Sequence, residues 1–252
     1  MSGQNISSAV MSQRHEALDG LDDFPTPPWA TRAFLEWAKV NLALAPASKV
    51  REPAANRRHM VKVLEEVFPE VEASDIHDYG AGYPVRDYLR TDDMLDAQTE
   101  RVALTCTNPP FNLAEKFARR ALDTSDHLAL LLRVPWLEGE GRYKRLFVHT
   151  PPSDVLFFCE RVVIWKGVLL DPEVPILNTK KDGTQVVEKP TTATAYAWFV
   201  WRRGANQKCY DFIPPGSRKR LTRPGDYPPL PEHLRPPEVA PAPLPLLSGG
   251  EK

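Results

Sequence analysis

The run "HLALLLRV", residues 127–134, constrains this chain more than any other, because Leu128 to Leu132 leave no position for water on either side of an extended segment. Side chains of a strand alternate between two faces, so such a run must be covered above and below. It is too short to span a bilayer, which takes about 18–20 apolar residues in a helix. "RVALTC", "DVLFFCE" and "TATAYAWFVW" read the same way, and between such strands lie "RHMVKVLEEVF", "LAEKFARRALD" and "GRYKRLFVH", with apolar residues at helical spacing. Buried strands alternating with amphipathic helices predict a doubly wound α/β sheet, mostly parallel and covered on both faces.

The pattern begins with a helix in "PTPPWATRAFLEWAKV", entered through prolines and carrying Trp29, Ala33, Phe34 and Trp37 on one face. "KVREPA" and "VEASDI" are further strands. An insertion over about residues 166–190 holds Asp182 and Gly183 as a hairpin turn. The strand "TATAYAWFVW" follows without a helical crossover, so it is expected to run antiparallel. The division predicted is a polar, mobile segment over 1–22, the folded domain over 23–203, a basic segment over 204–223 and a tail over 224–252. Nine prolines between Pro224 and Pro245 favour extended backbone in that tail.

At 252 residues with 42% apolar content, one sizeable core suffices. A formal charge of −1 excludes a field over the whole molecule, so a nucleic-acid partner must be met by a local patch. Three cysteines without a CxxC pair predict reduced thiols and no metal site, with Cys106 and Cys159 in the core. The first twenty residues lack a basic segment followed by a long apolar run, and a cytoplasmic protein with no membrane partner is expected.

"TNPPFN" follows the strand "RVALTC" and precedes a helix, which places Asn108 to Phe111 at the carboxyl end of a strand, where such sheets bind ligands. An exocyclic base amine is a poor nucleophile because its lone pair is delocalised into the ring. Acceptors that hold its N–H groups help it pyramidalise as it attacks, and the Asn108 side-chain oxygen and Pro109 carbonyl are candidates. Pro109 and Pro110 stiffen the backbone that aims them. Phe111 offers a face for a flat base.

Upstream, "REPAANRRHM" leaves a strand and opens a helix, a place for a nucleoside cofactor. Asp75, twenty-three residues after Glu52, ends the next strand and suits ribose hydroxyls. The set "DFPTPPW", "EPAANRRHM", "ASDIHDYG", "VRDYL", "TNPPF" and "TATAYAWFVW" resembles S-adenosylmethionine-dependent amino-methyltransferases, in particular small DNA adenine-N6 methyltransferases of phages and prophages. The resemblance covers about residues 23–203 and implies a Rossmann-like class I fold with a seven-stranded sheet whose last strand is antiparallel. It implies that Thr26 and Trp29 enclose the methionine end of S-adenosylmethionine. Glu52, Pro53, Ala54, Asn56 and Arg58 would hold its amino-acid moiety, Asp75 and Ile76 the ribose, and Asp87 and Tyr88 the adenine. Asn56 and Arg58 stand where the family has glycines, so the side chain of Arg58 must swing away or take over a role at the cofactor.

His59 and His77 flank these loops, yet an amine attacking a methyl needs no strong base, since its proton can leave afterwards; a surface or helix-start histidine is the plainer reading. Pro135, Trp136 and Trp165 are candidates for pocket walls or for ordinary packing. A phosphate-following surface is read from Lys180 and Lys181 on the hairpin and from Arg202, Arg203, Arg218, Lys219 and Arg220, with a solvated charge cluster as the alternative. The partner expected is DNA, whose target base must leave the duplex to reach Asn108. Methylation of an RNA base (guanine N2 or adenine N6) remains open, as does a non-catalytic nucleic-acid binder that has lost the cofactor.

Overall fold

The computed structural model describes residues 22–90, 100–180 and 182–237. Helix α1 (Pro28–Asn41) leads to strand β1 (Lys49–Glu52), helix α2 (His59–Glu65) and strand β2 (Glu70–Ala73). Strand β3 (Val102–Thr107), helix α3 (Ala114–Thr124) and strand β4 (Ser125–Arg133) form the next unit. A short α4 (Glu140–Arg142) continues as a π-helical turn before β5 (Asp154–Phe158). The hairpin β6 (Ile176–Thr179) and β7 (Gln185–Glu188) precedes β8 (Tyr196–Arg202), β9 (Cys209–Ile213) and α5 (Ser217–Leu221).

The main sheet has seven strands in the order β2-β1-β3-β4-β8-β5-β9. All run parallel except β8, which is inserted antiparallel between β4 and β5. The unbroken apolar run of β4 is explained by the two layers it separates. Ala129 and Leu131 join Trp29, Phe34, Leu64 and Trp198 on the α1 and α2 side. Leu128, Leu130 and Leu132 join Ala118, Phe199 and Trp201 on the α3 side. Each fully buried leucine contributes about 1.5–3 kcal/mol relative to exposure, so a register slip here is strongly disfavoured.

The antiparallel strand is the one expected, but β9 follows it and closes the sheet edge beside β5. Residues 204–223 are therefore part of the fold, supplying β9 and α5, and not only a basic segment. In "VRDYL", Val85 makes one parallel bridge to Asp75.

The tail reading is likewise corrected for its first part. Asp226 is clamped to α1: Arg32 Nη1 and Nη2 donate to its carboxylate at 2.6 and 2.8 Å, Nε donates to Glu66 at 3.0 Å, and Nη1 also reaches Leu221 O at 2.7 Å. Leu234 packs with Leu170 and Ile176 under the hairpin. Residues 1–21, Lys181 and 238–252 lie outside the described residues. Cys106 is buried as expected, whereas Cys159, past the end of β5, is exposed. Among the described residues no helix is long and apolar enough to cross a membrane.

Candidate active site

Parallel strands β1 and β3 end side by side, and their carboxyl ends carry Glu52 and Asn108 into one cleft with Asp75. Glu52 is 1% exposed. Its Oε1 accepts from the Thr107 hydroxyl at 2.7 Å and from Ala54 N at 3.0 Å, while Oε2 is buried without a partner. Burial, with Asp75 nearby, pushes its carboxyl up to about 8. Burial also raises Asp75, although Asn56 N and His77 N donate to its two oxygens at 2.9 and 3.0 Å. His59 lines the same cleft, where burial and the nearby Lys62 and Arg57 push it down to about 4 and so leave it neutral. Among the described residues the acids lining the cleft are Asp22, Glu52, Asp75 and Asp87, of which Glu52 is held protonated.

The loop between β1 and α2 keeps the backbone that glycines would give. Asn56 (φ 48°) and Arg58 (φ 67°) are both left-handed, and Arg58 is the residue that enters α2. The Arg58 side chain turns away from the cleft to pair with Glu65. Of the two outcomes expected for it, it has swung aside.

Asn108 is oriented from the N-terminal side. Its Nδ2 donates to Phe24 O at 2.9 Å and to Thr26 Oγ1 at 3.0 Å, which leaves Oδ1 buried and without a partner. Both donors of the amide are spent on protein, so its acceptor is the group on offer. Phe111 N donates to Asp22 at 2.7 Å. Asp23 accepts from Asn56 Nδ2 and Arg57 Nη1, both at 2.8 Å; burial alone would raise its carboxyl, and these donors hold it below the ordinary range. Residues 22–26 thereby strap the loop between β1 and α2 to the Asn108 turn.

Of the residues singled out from sequence, the cleft brings together Thr26, Glu52, Pro53, Ala54, Asn56, Asp75, Ile76, Asp87, Tyr88, Asn108 and Pro110. Trp29 does not line it: the indole is fully buried, edge-on to Phe158 at 5.4 Å, and belongs to the core. Pro109 is buried beside the cleft. The ring of Phe111 is covered, with Arg133 Cζ 4.2 Å from its centroid and Phe24 and Tyr196 at 5.7 and 6.2 Å. Trp136 is a core residue between Phe147 and Phe199, and Trp165 packs under the hairpin. Asp22, Phe24, Tyr79 and Phe117 line the cleft without having been singled out; the signal for the first two was their place beside "PTPPW".

Most of the basic residues singled out are ion-paired, among those described. Arg202 pairs with Asp154, Arg203 with Asp126, Arg218 with Glu173, Arg220 with Glu36 and Lys180 with Glu188. Arg202 pairs in register with His127 at the start of β4, whereas Tyr196 pairs with Arg133 at its end. Arg202 and Arg203 therefore sit at the far end of the sheet from Asn108. Lys219 is exposed on α5.

No protein-family model matches the chain, and no curated protein does. Solved structures do. The methyltransferase subunit of a type I restriction-modification system from Streptococcus thermophilus superposes with a TM-score of 0.51 at 9% identity, over 75% of this chain and 47% of that one. The EcoKI M protein, a type I restriction enzyme subunit, gives 0.46 at 14% identity, over 77% of this chain and 49% of that one. A Pyrococcus horikoshii protein proposed to be an RNA methyltransferase gives 0.49 at 14% identity, over 77% and 96%. The chain spans about half the length of the two restriction-modification subunits it matches. Sheet order, the single inserted antiparallel strand and the superposition on the Streptococcus thermophilus subunit together give the chain a Rossmann-like, doubly wound α/β fold.

Proposed function

We propose that the protein is an S-adenosylmethionine-dependent methyltransferase acting on an exocyclic amine of a nucleic-acid base, most specifically adenine N6 in DNA. The observation that carries this reading is the Asn108 amide, whose donors are consumed by Phe24 and Thr26 and whose acceptor is left bare in the cleft that also holds Asp75. An amide fixed this way is suited to accept an N–H from an amine and unsuited to donate to a carbonyl. DNA is favoured because the restriction-modification subunit from Streptococcus thermophilus shares the fold.

The cleft fits the cofactor chemically. When bound, S-adenosylmethionine supplies an electrophilic methyl on a sulfonium. Glu52, with a buried partnerless oxygen, and Asp75 would hold its cationic and hydroxylic parts, and Asp87 and Tyr88 would border its adenine. Asn108 Oδ1 and the Pro109 carbonyl draw on the amine N–H groups and return the lone pair to nitrogen as attack begins. His59, already neutral, is not needed as a base, because the proton leaves an alkylated ammonium that is far more acidic than the starting amine. Catalysis is therefore positioning and polarisation.

The test is transfer of radiolabelled methyl from S-adenosylmethionine to DNA and, in parallel, to structured RNA. Label at adenine N6 of DNA is expected, with a loss of about 10²–10³-fold in Asn108→Ala. Label confined to RNA shifts the substrate class. Cofactor binding with no label in either sinks the enzymatic reading.

A further inference from the structure

We infer that Arg133 is a place-holder for the target base, occupying the stacking face of Phe111 until a base displaces it. The inference rests on the reading of the cleft as a base-methylating site and names the residue that controls entry to it.

Arg133 is the last residue of β4, and β3, its parallel neighbour, runs directly into the Asn108 turn. Its guanidinium carbon lies 4.2 Å from the Phe111 centroid and 5.9 Å from that of Phe24. A base stacked on that face needs about the same 3.5–4 Å spacing, so ring, guanidinium and base cannot share it. Phe24 and Tyr196 pack against other sides of Phe111. A seat framed by three aromatic rings takes a flat π-group, and a guanidinium is one.

Two further features mark this as an occupant that can leave. Arg133 Nε is buried without a hydrogen-bond partner, so the seat satisfies the guanidinium incompletely. The residue is also only half-buried, at a strand end followed by the 3-10 turn Val134–Leu137, so its side chain has solvent to move into. Arg32, whose nitrogens all donate, has neither property.

The experiment is a fluorescence titration of 2-aminopurine deoxyriboside, a base analogue without phosphate, into S-adenosylhomocysteine-loaded wild type, Arg133→Ala, Arg133→Lys and Phe111→Ala. Cofactor binding and thermal unfolding are measured on each. Arg133→Ala is expected to bind the nucleoside about five-fold more tightly, the equivalent of one cation–π contact, Arg133→Lys, which keeps a cation but not the flat guanidinium, to fall between it and wild type, and Phe111→Ala to lose the stacking quench. A residue that merely supports the fold would weaken nucleoside binding when removed. Unchanged or weaker binding in both Arg133 variants, with the Phe111-dependent quench intact, overturns the place-holder alone. Cofactor binding without any Phe111-dependent nucleoside signal overturns it together with the base-methylation reading.

Discussion

At the Asn108 cleft, Glu52 Oε2 and Asn108 Oδ1 are buried without partners, whereas at the Arg32 clamp each nitrogen of a buried guanidinium donates to Glu66, Asp226 or Leu221. Both regions take ionisable groups out of water. One leaves their demands open and the other closes them. Open demands cost stability and are the groups a ligand satisfies; closed ones fix the path of the chain. The difference separates a cleft with polar groups open to a ligand from a place where the chain is held together.

The largest expected effect lies at the clamp. Arg32→Ala, which takes the guanidinium from the largely buried Asp226 carboxylate while the exposed Glu66 keeps Arg223, is expected to lose about 3–5 kcal/mol in urea unfolding; a loss under about 1 kcal/mol would erase the contrast. Next comes Glu52→Gln. Glu52 in the folded state ionises only near 8, against an ordinary value near 4.5, so the native protein holds a proton that the unfolded chain releases. Stability then falls as pH rises from about 4.5 to about 8, and Glu52→Gln should remove that fall, gaining about 2–4 kcal/mol at pH 8 and little at pH 4.5. Denaturation curves at the two pH values check the sign. The same variant should lose cofactor binding by calorimetry.

Arg58→Gly is a smaller change. It relieves a left-handed backbone at an arginine and removes a half-exposed ion pair with Glu65, for a net gain of about 0.5–1 kcal/mol with cofactor affinity retained. If affinity instead collapses, Arg58 contacts the cofactor after all. Smallest is the exposed pair Arg220 and Glu36: Arg220→Gln should cost no more than about 0.5 kcal/mol, and a lower salt slope of DNA binding in the Arg218, Lys219 and Arg220 triple glutamine variant would show that these cations meet phosphate.

The two-layer sheet was legible because its evidence is local: Leu128 to Leu132 state in five residues that both faces are covered. Much of the cleft was legible because residue types and strand ends carry it, as with Glu52, Asp75 and Asn108. What escaped depends on the long-range placement of single side chains. Trp29 and Phe34 share a helix face with Ala33, and periodicity alone cannot say which ring points to a ligand and which to the core. Phe111 was expected at the site, but its ring packs beside the cleft without lining it, and the guanidinium covering it comes from a strand end twenty-two residues later. Arg58 gives no hint in its own chemistry that it can sit left-handed; the loop around it imposes that. The ordered start of the proline-rich end depends on Asp226 meeting Arg32, which composition cannot disclose.

That meeting spans 194 positions of chain. During synthesis α1 emerges among the earliest described elements, with a cation that lacks its second carboxylate until residue 226 has cleared the ribosome. Helix α1 can therefore dock fully only once residue 226 has been made, and a product truncated within β8 would expose an unsatisfied guanidinium for quality-control machinery to find.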